Sequence, residues 1–162
     1  MVLGMSTFTF VHVLISLVGI GTGLVVAYGL LTAQRLEGWT ACFLVTTVAT
    51  SVTGFFFPFH GFTPAIGVGI LSMIVLIAAI VALYVFHLVG AWRWIYVGGA
   101  VIALYFNVFV LIVQAFQKIA PLKALAPTQT EPPFVVVQIA ALLFFVGVGV
   151  AAIRRFQPPV SA

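Results

Sequence analysis

Acid–base or metal chemistry in this chain would have to come from few groups: the imidazoles of His12, His60 and His87 and the carboxylates of Glu37 and Glu131. His12 stands inside the apolar run FVHVLISLVGIGTG. An ionisable side chain in such a run is costly and ordinarily faces a bundle interior or a watery cavity. Two neutral imidazoles can serve as axial haem ligands. His12 and His60 are therefore the candidate pair for a metal ion or a haem b. A quinone asks for less, namely a hydrogen-bonding group or two beside an apolar groove. Ser16, Asn107, Gln114, Lys118 and Gln138 could supply those groups, with Glu131 in the segment PTQTEPP above them.

Other chemistries find no pattern. There is no HExxH, and no serine sits in a nucleophile elbow, so hydrolysis is not expected. Glu37 and Glu131 fall toward opposite ends of the expected helices and cannot work as a carboxylate pair. Cys42, the single cysteine, can form neither an internal disulfide nor a cysteine metal cluster. The glycines of GIGTG lack the preceding strand of a dinucleotide loop and are read as helix-packing positions. Whether the chain is an enzyme is left open by these residues.

The elements that hold these groups follow from the solvent. Only 5% of the residues are charged and 64% are hydrophobic, with a mean hydropathy of +1.35. A water-soluble domain carries about 25% charged residues, so the solvent here must be lipid. The basic residues are scattered, without the interleaved aromatics of a nucleic-acid surface. A bilayer-spanning helix needs about 20 apolar residues. Runs at 7–32, 40–58, 64–90, 94–117 and 134–153 meet this length, leaving 118–133 as the long loop. The reading is one all-α membrane domain of five transmembrane helices, since lone strands leave their backbone unsatisfied in lipid. The first run has no leading positive charge, so it is expected to stay in the mature protein.

Charge counting orients the bundle. Arg35, Arg93, Arg154 and Arg155 fall on one side and Lys118 and Lys123 on the other. The arginine side is then cytoplasmic, with the N-terminus outside and the C-terminus inside. A bacterial inner membrane is the expected location.

Spacing adds faces to the helices, because residues four and seven apart share one side. His12, Ser16, Gly19 and Gly23 form one line, Asn107, Leu111, Gln114 and Lys118 another. Thr46, Thr50 and Thr53 lie beside Thr47, Ser51 and Gly54, and Gln138 heads the line of the last helix. Most of these polar groups belong to the outer half, which implies an outward-facing pocket centred on His12.

The preferred reading is a binding protein or redox-accessory subunit that holds quinone, haem or another small amphipath. A small-solute or ion transporter, in oligomeric form, is the alternative. A membrane-protein partner or a homo-oligomer suits the short loops in either case. Five spans with an outward N-terminus resemble the translocator-protein architecture in topology alone. That family's tryptophan-rich motifs are not matched, and no residue role is carried over from it.

Overall fold

A computed structural model describes residues 6–58 and 64–157, and among them there is no strand. Six helices follow one another: α1 (Thr7–Leu31), α2 (Glu37–Gly54), α3 (Pro64–Tyr84), α4 (Trp92–Lys118), α5 (Ala120–Leu125) and α6 (Pro132–Arg155). His60 lies outside the described residues.

Four of the helices, α1, α3, α4 and α6, are long and apolar enough to cross a membrane. They are the helices of a multi-pass membrane protein. The second expected span, 40–58, corresponds to α2, which is 18 residues long and begins at Glu37 rather than residue 40. Its run of Thr40, Thr46, Thr47, Thr50, Ser51 and Thr53 keeps it below the apolarity of the other four. Apolar side chains cover the outer surface, with Val136, Leu143 and Phe144 of α6 each about 60% exposed. Such a surface calls for cover by lipid or by other apolar helices.

Local chemistry fixes the helix ends. The Ser6 hydroxyl accepts the Thr9 N–H at 3.1 Å and caps the start of α1. At its far end the Gln34 N–H returns to the Gly29 carbonyl at 2.8 Å while Ala33 takes a left-handed φ of 56°. Leu36 folds over Gly29, where a Cβ would lie 2.9 Å from Leu36 Cδ1. The chain therefore reverses tightly into α2, whose first turn carries Glu37 where the helix dipole favours negative charge.

The third apolar run does not continue as helix to residue 90. Helix α3 stops at Tyr84, and His87 and Leu88 adopt left-handed φ values of 48° and 63°. Burial of Leu88 and stacking of Phe86 on Trp92, with ring centroids 3.8 Å apart, hold this strained turn. The long loop is likewise shorter than expected. Within it Pro121 sits in the first turn of α5, where its missing N–H costs nothing.

Helix α4 is the centre of the bundle and packs on α1, α3, α5 and α6. Small residues permit the close crossings. A Cβ on Gly99 would lie 3.0 Å from Ala79 Cβ, and one on Gly23 would lie 2.6 Å from Leu104 Cδ1 and 2.8 Å from Phe43 Cε2. Leu76, Ala79, Val97, Ala103 and Leu104 form the dry middle of the core. In lipid such packing takes over the role that water exclusion has in soluble cores.

Candidate functional site

The antiparallel run of α1 and α2 brings His12 opposite Thr53, with His12 Nδ1 2.8 Å from Thr53 Oγ1. Thr53 Oγ1 is itself 2.7 Å from the Ala49 carbonyl of its own helix. One turn along α1, the Ser16 hydroxyl donates to the His12 carbonyl at 2.7 Å. The edge of Phe57 meets the imidazole at a centroid distance of 5.0 Å. The ring is thus fixed from two sides and remains half-buried.

Deeper in the bundle, Asn107 of α4 donates from Nδ2 to Thr47 Oγ1 of α2 at 3.2 Å. Gly19 makes room for this pair, since a Cβ there would lie 3.3 Å from Thr47 Oγ1 and 3.5 Å from Asn107 Nδ2. Ser51 donates to Ser72 of α3 at 3.3 Å. Together with the His12–Thr53 bond they join α2 to three neighbours, and Asn107, Ser51 and Ser72 line a cleft.

The cleft has a volume of about 600 Å³ and runs between α1, α2, α3 and α4. His12, Ser16, Asn107, Gln114 and Lys118 all line it. Its other walls are largely apolar, including Leu17, Phe55, Phe57, Phe106 and Val110. Thr50 Oγ1 is buried there without a hydrogen-bond partner. Lys118 and Ile119, at the end of α4, stand at the rim. An apolar cavity with a few convergent polar groups is the usual form of a small-molecule site.

Two of the expected site residues lie elsewhere. Gln138 donates to the Phe109 carbonyl at 3.3 Å in the seam between α4 and α6, and its Oε1 is buried without a partner. Glu131 is folded onto its own turn, accepting from Thr128 N at 3.1 Å, Thr128 Oγ1 at 2.9 Å and Thr130 N at 3.1 Å. Partial desolvation pushes this carboxyl up, but the bonds from Thr128 and Thr130 outweigh it and hold it below the ordinary carboxylate value. For the haem or metal pair, His12 is the imidazole on the cleft wall, and His60 falls outside the described residues. Among the described residues no three His, Cys, Asp or Glu side chains cluster to hold a metal ion.

Phe55 and Phe57 were not legible as walls, because they follow the last turn of α2 and only the turn itself decides where they point. The opposite end of the bundle holds a cavity of about 180 Å³ lined by Arg35, Glu37, Thr40, His87 and Tyr96 among others. Arg35 and Glu37 there approach to 3.7 Å, both well exposed, so the pair adds little stability. His87 thus belongs to the end of the bundle opposite His12.

Compared with protein-family models, with curated proteins and with solved structures, the chain matches none. The site therefore has to be read from its own geometry.

Proposed function

We propose that this multi-pass membrane protein holds a small amphipathic ligand of the quinone class in the cleft beside His12, as a binding or redox-accessory protein. The observation that carries the reading is the convergence of His12, Asn107, Gln114 and Lys118 from two helices on one largely apolar cavity of about 600 Å³. That volume suits a substituted ring with part of a tail, and the phenylalanines offer the ring flat apolar contacts.

Binding is favoured over passage through a single chain. On the side away from the rim, Gly23 of α1 meets Leu104 and Phe43, each 1% exposed, so the helices close on one another below the cleft. A transporter would need polar groups continuing past that layer. A haem needs an axial nitrogen and room for a whole macrocycle, whereas a quinone needs only hydrogen bonds and apolar contact.

In this reading α2 is a fifth span. Its 18 residues cover about 27 Å at 1.5 Å per residue. Its hydroxyls are largely satisfied inside the bundle: Thr46 and Thr53 bond their own helix, and Thr47, Ser51 and Thr40 meet Asn107, Ser72 and Tyr96. A helix so satisfied can cross lipid despite its composition. The end bearing Arg35, Arg93, Arg154 and Arg155 faces the cytoplasm, so the cleft opens outward, in a bacterial inner membrane.

Purified protein in lipid nanodiscs tests the ligand. Extraction and mass spectrometry should find a quinone-class lipid enriched over the surrounding membrane lipid. Gln114→Leu, at an exposed position without a hydrogen bond among the described residues, should reduce the enrichment while leaving the fold intact. No enrichment in the wild-type protein would sink the proposal.

A further inference from the structure

We infer that the cleft selects the hydroxyl-bearing, reduced form of its ligand, a hydroquinone, over the quinone. The inference rests on the quinone-class reading above and follows from where the protons on the α1 wall must lie.

A hydroxyl has one proton to give. Thr53 Oγ1 is 2.7 Å from the Ala49 carbonyl and 2.8 Å from His12 Nδ1. A carbonyl can only accept, and Ala49 is the nearer of the two partners, so we assign the Thr53 proton to Ala49 and the hydrogen of the His12 bond to the ring. Nδ1 therefore carries the hydrogen, and in a neutral imidazole Nε2 is left with a bare lone pair. Among the described residues Nε2 has no partner. The Ser16 hydroxyl is committed in the same way, since its proton goes to the His12 carbonyl at 2.7 Å. What His12 and Ser16 present to the cleft is lone pairs, with no proton to offer.

A quinone carbonyl is also an acceptor, so against this wall it would face lone pairs with its own. Thr50, Gln114 and Lys118, elsewhere in the cleft, can donate to a ring oxygen of either form, so the discrimination lies at His12 and Ser16. A hydroquinone brings a proton on each ring oxygen and can donate to Nε2 or to Ser16. A protonated amine could donate as well, but among the described residues no carboxylate lines the cleft and Lys118 stands at its rim, so a cation meets repulsion without a counter-charge. A neutral phenolic hydroxyl satisfies the wall. Phe57, edge-on to the imidazole, and Phe55 and Phe106 supply apolar surface for an aromatic ring.

The test compares three ligands of equal tail length, a decyl hydroquinone, the matching quinone and the hydroquinone dimethyl ether, by anaerobic titration of the full-length protein in nanodiscs. The hydroquinone should bind about tenfold more tightly than either of the others, the factor expected for one hydrogen bond made against one acceptor left unmet. The His12→Phe variant should lose this preference. Because that variant could also disturb the fold, the dimethyl ether measures the same bond on the wild-type protein. Equal binding of all three, or tighter binding of the quinone, would overturn the inference and leave the quinone-class site standing. Binding of none would overturn both.

Discussion

His12 and Thr53 are joined across the α1–α2 interface by a bond of 2.8 Å, and the Thr53 hydroxyl in turn is anchored 2.7 Å from the Ala49 carbonyl. A side chain on one helix is thereby oriented by the backbone of another. Replacing Thr53 with valine keeps the shape and removes the acceptor. Thr53→Val is expected to lower stability by about 1 kcal/mol, the net worth of one such bond. It should also weaken ligand binding, because the imidazole is no longer held. Thermal unfolding in detergent beside a binding titration separates the two effects, and Thr53→Ser should restore both. A Thr53→Val protein indistinguishable from wild type in both assays would remove Thr53 from the site.

Glycine positions on α1 differ in what surrounds them. A methyl at Gly23 would lie 2.6 Å from Leu104 and 2.8 Å from Phe43, whereas nothing lies within 4 Å of one at Gly21. Gly23→Ala should therefore cost about 1–3 kcal/mol through overpacking, and Gly21→Ala should cost nothing. Unfolding temperatures of the two variants check the contrast. Equal temperatures would show that α1 does not approach α2 and α4 this closely.

Glu131 ties pH to the order of the turn before α6. Its folded pKa lies below the ordinary 4.5, so its contribution is complete above that value and is lost as pH falls through the lower folded one. The amides of Thr128 and Thr130, which donate to the carboxylate, should keep constant hydrogen-exchange protection from neutral pH down to about 4.5 and lose it below. In Glu131→Gln the protection should be low throughout. Wild-type protection in that variant at neutral pH would show that the carboxylate does not order the turn.

Topology can be read with reporters. Fusions after Gln34 and Pro58 should report opposite sides of the membrane if α2 crosses it, with Gln34 cytoplasmic. A fusion after Arg155 should also report the cytoplasm, and one after Leu125 the outside. The same side for Gln34 and Pro58 would reduce the spans to the four apolar helices.

Periodicity made much of the site legible. His12 and Ser16 are four residues apart, as are Gln114 and Lys118, and Asn107 lies a further two turns back, so each set shares a face wherever its helix packs. The rotation of α6 had no comparable signal. Gln138 is one polar group on a nearly all-apolar helix, and only contact with α4 turns it into the seam with Phe109. Glu131 is captured by hydroxyls and amides within three residues of it, a local competition that polarity alone does not reveal. The stop after Tyr84 was hidden for another reason. His87 and Leu88 are not turn residues by type, and their left-handed backbone is set by tertiary packing of Leu88 and Phe86.

The dry layer of Leu76, Ala79, Val97, Ala103 and Leu104 lies between the two cavities. A membrane voltage falls chiefly across material of low dielectric, and a charge must traverse that material to feel it. A molecule without net charge does no work against that voltage, whatever lines its path. A neutral ligand beside His12 would thus enter and leave without doing electrical work. Its occupancy would follow supply from its own leaflet and stay indifferent to whether the membrane is energised.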